Sequence, residues 1–352
     1  MTKANQKRTA LDRAATNVEI TISAWYVSRQ RILELIGPDP FGPHAQEALR
    51  GGGDAFAPGT LAAMVGGPVF QWIGQKKIPT FHQLAATGQL AVGRMFIYQG
   101  HFFGKGFGFH HKSPLVSLSE NVADHVSGHR LVVEFSKNGI TTDTAYTRLG
   151  GSTNLFALCS ITKIAANRIH AVPYIIGDLV ERHGSGIELR LKDTLRLHLS
   201  DIRQFRKIDF EWSPTAKQFA ALRDVPEAVV KQALSNLLGE FEPAKDWGGE
   251  ETDLFTGNLL VGRKRYSAAF LLKGPAKFHE MRLTDCGKNG DQIYRLFNTP
   301  ADVFVVQHCH KISPAVRRTV EAFTLTQYAR KAHYALIDGY DTCRILKSLK
   351  LL

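Results

Sequence analysis

The sequence predicts an α/β protein of two domains, and three observations carry that expectation. Beyond Ser213-Pro214, helical and strand patterns alternate in the order α-β-β-α-β-α-β-α. Residues 18–210 mix short strand and helix patterns with no internal repeat, which reads as a separate α+β domain. The 352 residues of the chain exceed the roughly 100–200 of a typical domain, so two cores fit.

Taken in order, residues 1–17 form a polar, basic arm without the apolar stretch of a signal peptide, and none is expected. Residues 17–22 alternate like a strand, and residues 31–36 read as a short helix stopped by Gly37-Pro38. Gly51-Gly52-Gly53 and Pro58-Gly59 mark loops. Strand patterns recur near residues 96–98, 131–135 and 187–199. The second domain, residues 211–352, is more legible. Residues 215–241 carry a helical period through Phe219, Leu222, Val229, Val230, Leu234, Leu237 and Leu238, with Pro226 marking a kink or a fresh start. A turn-rich stretch, 242–250, leads into strands 253–261 and 266–273, joined by a turn at 262–265. A short helix at 291–297 precedes a buried-type strand at 303–308. Ser313-Pro314 then opens a helix to about residue 330 by N-cap serine and first-turn proline. A strand at 333–337 and a helix at 340–349 complete the domain.

Composition narrows the function. With 44% hydrophobic and 22% charged residues, wholesale disorder is excluded. No apolar run approaches the ~20 residues that span a bilayer, so no membrane partner is expected. The four cysteines, Cys159, Cys286, Cys309 and Cys343, share no CxxC spacing, which argues against a disulfide framework or a thiolate zinc cage and for a cytoplasmic setting. Forty-four Lys and Arg against 32 Asp and Glu give a net charge of +12. That charge has two readings, a nucleic-acid partner or scattered solubility charge. The basic run Arg263, Lys264 and Arg265, inside the folded part, favours nucleic acid.

The chemistry-bearing pair is Asp253, which begins one strand, and Lys273, which ends its hairpin partner 273 − 253 = 20 residues on. A hairpin returns the chain to the edge it left, so the two side chains converge. A carboxylate there holds Mg²⁺ through oxygen ligands. The ion polarises a phosphate, and a neighbouring lysine orients the attacking water or stabilises developing charge.

This pattern resembles the PD-(D/E)XK nuclease superfamily, the restriction-endonuclease-like fold, over roughly residues 215–349. The residues behind it are Glu227 on the leading helix, Asp253 after Asp246-Trp247-Gly248-Gly249-Glu250, and Ala268-Ala269-Phe270-Leu271-Leu272-Lys273-Gly274. Asp291-Gln292, at the start of the next helix, belongs with them. The resemblance implies an αβββαβ-type core, with Asp253 as the central metal-binding acid, Lys273 as the catalytic lysine and Gln292 near the site. It further implies Mg²⁺ or Mn²⁺ as cofactor, endonuclease activity on DNA ahead of RNA, and a prokaryotic restriction or antiviral defence setting. A homo-oligomer or a defence-system partner protein is compatible with it. One position departs from the family pattern: its second acid sits two residues before the lysine, where this chain has Leu271. Either Glu227 or Glu250 supplies the carboxylate and completes the metal ligands, or the domain is a catalytically degenerate nucleic-acid-binding or assembly subunit. Plainer readings stay open for each residue: a snorkelling Lys273, a turn acid at Asp253, a first-turn glutamate at Glu227 and a helix-surface Gln292.

Other motifs are weaker. Lys105-Gly106-Phe107-Gly108-Phe109 begins like the RNP1 box of RNA-recognition motifs but ends in His110-His111-Lys112. Lys105, Phe107 and Phe109 remain candidates for contacting phosphates and stacking on bases, against the alternative of a core hairpin. His308-Cys309-His310 has ligand-type side chains but no second pair to complete a zinc site. Asp338, at another strand end, either borders the site or is a turn aspartate.

Overall fold

The computed structural model describes residues 18–37, 58–108, 111–183, 188–240, 252–287, 290–325, 327 and 331–352. Glu250, Phe109, the 1–17 arm and the Gly51-Gly52-Gly53 loop lie outside them. The chain is mixed α/β and divides into two compact units, Met1–Leu84 with Leu90–Thr194, and Ala85–Gln89 with Leu195–Leu352.

The first unit is built from β1 (Val18–Val27), α1 (Arg29–Ile36), α2 (Pro58–Gln75), α3 (Phe81–Ala86), β2 (Met95–Lys105), β3 (Leu115–Asn121) and β4 (Arg130–Ser136). It continues through α4 (Asp143–Gly150), β5 (Ser152–Ala165), β6 (Arg168–His183), β7 (Glu188–Arg190) and α5 (Leu191–Leu195). Strands β2, β3 and β4 form an antiparallel meander, and β5 returns to pair with β2. Strand β6 then pairs antiparallel with β5 and parallel with β4, closing a five-stranded barrel in Greek-key order. Phe102, Leu118, Leu131, Val133, Leu155 and Ile169 fill its interior.

Two expectations fail in this unit. Pro58-Gly59 does not mark a loop but opens α2, since proline suits a first helical turn. Leu61, Val65, Val69 and Ile73 recur every fourth residue on its buried face. The helix lies so close to β1 that a Cβ on Gly66 would stand 2.1 Å from the Ile22 carbonyl oxygen, so only glycine fits. The strand expected at 187–199 shrinks to β7, and Leu191 and Leu195 are buried from the short helix α5 instead.

The main segment of the second unit starts at Leu195, before the expected boundary at 211. Leu199, Ile202, Phe205 and Ile208 are buried in its core, so the segment before 211 folds with it. Its elements are α6 (Ala216–Ala221), α7 (Glu227–Leu238), β8 (Leu254–Val261), β9 (Lys264–Lys273), α8 (Asp291–Asn298), β10 (Val303–His308), α9 (Pro314–Leu325), β11 (His333–Ile337) and α10 (Gly339–Ser348). Pro226 marks the fresh start at the head of α7. The turn between β8 and β9 is tighter than 262–265, because Lys264 and Arg265 pair with Val261 and Leu260 in the ladder.

The four strands lie in the order β11-β10-β9-β8. Strands β9, β10 and β11 run parallel, and β8 is antiparallel to β9. One face, carrying Phe270, Leu272, Val305 and Ile337, packs with Val230 and Leu234 of α7 and Leu346 of α10. On the other, the rings of Phe304 and Phe297 of α8 lie 4.1 Å apart, and Phe297 stacks on Phe323 of α9 at 5.4 Å. Helices therefore cover both faces, which is why all six residues of β10 are buried. Among the described residues of this unit, a two-stranded hairpin precedes α8, where an αβββαβ string would have three strands.

Candidate active site

Because β9, β10 and β11 are parallel, their carboxyl ends share one edge, and the antiparallel β8 begins there. In open α/β sheets this is the edge where ligands gather. Asp253 enters β8 at this edge, its N–H donating to the Phe270 carbonyl at 2.9 Å. Thr252 fixes the approach: its hydroxyl donates to the Phe270 carbonyl at 2.8 Å and accepts from the Phe270 N–H at 3.0 Å. The Asp253 carboxylate then turns along β9, where Oδ2 accepts from the Leu272 N–H at 2.6 Å.

Glu227, the first residue of α7, reaches the same strand. Its Oε2 accepts from the Gly274 N–H at 2.6 Å, a charge-assisted bond. Leu272 and Gly274 are alternate residues, so the two donors lie on the same side of the strand, about 6.6 Å apart by strand rise. Two carboxylates thus accept from the backbone N–H groups that precede and follow Lys273 in the chain. The contact with Glu227 demands glycine, because a Cβ at Gly274 would stand 2.7 Å from the Glu227 Cβ.

Lys273 ends β9 opposite His308 of β10. Its N–H donates to Oε1 of Gln307 at 3.4 Å, and its carbonyl accepts from the Cys309 N–H at 3.2 Å. Gln307, fully buried, also donates through Nε2 to the Thr342 hydroxyl at 3.1 Å. That amide, missed in the sequence, ties the lysine's backbone to α10. Its signal was a glutamine inside an otherwise apolar run, where a buried polar group needs partners. Burial raises the Cys286 thiol to about 12, while the nearby Lys273 charge pulls it the other way.

Gln292 lies on α8, and its Oε1 is buried with no hydrogen-bond partner among the described residues. A Cβ on Gly287 would come within 3.1 Å of the Gln292 Cγ, so Gln292 belongs beside the Cys286 turn. Asp338 is a cap: its Oδ1 accepts from the Asp341 N–H at 3.0 Å at the head of α10. The His310 ring sits edge-on to Phe219 and Phe278, at 5.1 and 5.0 Å, and His308 Nε2 lies 2.9 Å from the His279 carbonyl. These two imidazoles are held by different partners.

Burial holds the His308 imidazole below the usual histidine range, against the opposing pull of the His279 and Lys273 carbonyls. A lowered folded value favours the neutral ring, so the stability it contributes is present above the ordinary value of 6.5. It is lost as pH falls below that value, where the unfolded chain takes up the proton first. Thermal melts are expected to show a lower Tm at about pH 5.5 than at about pH 7.5. His308→Gln is expected to shrink that difference; an unchanged difference would remove His308 as its source.

The basic residues expected to meet nucleic acid lie elsewhere. Arg263 lies in the hairpin's turn and Lys264 and Arg265 open β9, and nine residue steps separate Lys264 from Lys273, about 30 Å by strand rise. Arg265 is also tied to Asn258 Oδ1 at 3.3 Å. In the first unit, Lys105 is exposed at the end of β2. Phe107 is half-buried: its ring packs on the barrel core, 6.2 Å from Phe135, with its Cβ against Gly150.

No family model, curated protein or solved structure matches the chain.

The donor set can be tested against a divalent ion. Among the described residues, no group of three or more His, Cys, Asp and Glu side chains is placed to hold a metal. Mg²⁺ needs less, since it binds through one or two carboxylates plus water and substrate phosphates. Asp253 and Glu227 meet that requirement in number and in oxygen chemistry. No helix among the described residues is long and apolar enough to cross a membrane.

Proposed function

We propose that the second unit is a metal-dependent nuclease that hydrolyses phosphodiester bonds, with DNA as substrate, in the manner of the PD-(D/E)XK superfamily. The observation that carries this reading is the pair of carboxylates, Asp253 and Glu227, bonded to alternate N–H groups on either side of Lys273. Glu227 would take the place of the acid absent at Leu271, which is 5% exposed and apolar. Asp253 and Glu227 would hold Mg²⁺ or Mn²⁺, which when bound polarises the phosphate and makes its water more acidic. Lys273 would stabilise charge developing on the phosphate oxygens or orient the attacking water. Gln307 keeps Lys273 in register through its backbone. The prokaryotic restriction or defence setting follows from the superfamily resemblance, as does any partner protein.

A second reading, a non-catalytic nucleic-acid-binding or assembly subunit, is favoured by the lack of a third ligating side chain among the described residues. Plasmid and single-strand cleavage with Mg²⁺, Mn²⁺ or EDTA separates the two. Cutting that needs metal and is lost in Lys273→Ala supports the nuclease. Cutting that survives in Lys273→Ala refutes the assignment, and salt-sensitive binding with no cutting under any condition supports the second reading.

Gly274→Ala is a sharper probe. The added methyl would stand 2.7 Å from the Glu227 Cβ and push the head of α7 off the strand, so activity is expected to fall to the level of Glu227→Gln and Tm to fall with it. Gly274→Ala cutting at the wild-type rate would show that the Glu227 contact is dispensable.

A further inference from the structure

Strand β2 of the barrel alternates, with Phe102 and Gly104 buried and His101, Phe103 and Lys105 exposed. Phe103 is 51% exposed, a large ring left to water beside a well-filled interior. Its register partners are small: Ser119 on β3 and Ser152 on β5. Both hydroxyls are engaged at the sheet surface, Ser119 with the Phe103 carbonyl at 3.4 Å and Ser152 with His101 Nε2 at 2.7 Å. The ring therefore stands above its neighbours with a face open to a flat partner.

The charge around it is mostly positive. Across β3 and β4 the pairing carries Arg130 beside Arg168 of β6, both exposed like Lys105. The acid facing outward on β4 is Glu134, which pairs with His170 at 3.2 Å. Three cations against one anion leave this face positive. Five-stranded Greek-key barrels of the OB type bind oligonucleotides on the face of their second and third strands. Exposed rings among cations are what sequence-tolerant single-strand binders use, the ring stacking on bases and the cations following phosphates.

We infer that the outer face of β2, β3 and β4 binds single-stranded DNA, with Phe103 as the base-stacking ring and Lys105, Arg130 and Arg168 on the phosphates. The choice of DNA rests on the nuclease reading, whereas the single strand rests on the barrel alone.

The test is fluorescence anisotropy of a labelled oligo-dT with the full chain in EDTA, across a range of NaCl, so that metal and cleavage play no part. Phe103→Ala is expected to weaken binding roughly 10- to 100-fold while leaving the salt slope unchanged. Phe103→Trp is expected to retain affinity, and Lys105→Ala with Arg130→Ala to lower the salt slope by about 1.4 for two phosphate contacts. Because Phe103 is exposed, its variants are expected to keep the wild-type Tm. Wild-type affinity in Phe103→Ala, tighter binding to a duplex, or tighter binding to oligo-U would each overturn the assignment. A wild-type chain that cuts in a metal-dependent way but does not bind oligo-dT refutes this inference alone; one that binds oligo-dT but does not cut refutes only the nuclease.

Discussion

Asp253→Asn is expected to leave the second unit folded and to reduce DNA cleavage by about 10³-fold or more. The argument separates the carboxylate's two jobs. As a structural group it accepts the Leu272 N–H at 2.6 Å, and an asparagine amide oxygen still accepts that bond, though more weakly without the charge. As a ligand it contributes a negative charge to a hard cation, which an amide cannot supply. Metal-assisted phosphate chemistry gains several kcal/mol of transition-state stabilisation, and about 1.4 kcal/mol is a factor of ten. Asp253→Ala loses both roles and is expected to be less stable as well, by about 1–3 kcal/mol for the unpaired N–H. The check is single-turnover cleavage beside urea unfolding of each variant. Asp253→Asn cutting within threefold of wild type would place the chemistry elsewhere.

Phe304→Ala is expected to be the most destabilising single truncation of the second unit. Phe304 is fully buried in the central strand β10, its ring 4.1 Å from Phe297, which in turn stacks on Phe323. Removing it leaves a cavity between the sheet and both α8 and α9, which parallel strands cannot relax to fill. Truncations of this kind cost about 3–5 kcal/mol. Tm is expected to fall by roughly 6–20 °C for a unit of this size. Calorimetry is the measurement, and a loss under about 1 kcal/mol would contradict the packing described.

Where the sequence was legible, one local signal sufficed. Strands β10 and β11 fall at residues 303–308 and 333–337 as read, because buried parallel strands are short apolar runs with clear ends. Asp253 and Lys273 reach one edge because a hairpin's geometry follows from counting residues. The reach of Glu227 was not countable: it depends on a backbone N–H at Gly274, 47 residues away. Barrel closure was hidden for the same reason, since the parallel pairing of β4 with β6 joins residue 130 to residue 168. Helix α2 was missed because Pro58, Gly59, Gly66 and Gly67 look like loop residues until the fourfold spacing of Leu61, Val65, Val69 and Ile73 is weighed against them. Strand β2 ends at Lys105, and past that end Phe107 turns onto the core while Phe103 stays outward.

The central claim is that Asp253 and Glu227 form one divalent-ion site beside Lys273, and Mn²⁺ titration by calorimetry tests it most directly. The account predicts that the wild-type chain binds Mn²⁺ and that Asp253→Asn and Glu227→Gln each weaken it by at least about tenfold, roughly 1.4 kcal/mol. The double variant should be little worse than either single one, because both residues serve the same ion. Mn²⁺ binding that is indifferent to both substitutions would contradict the account.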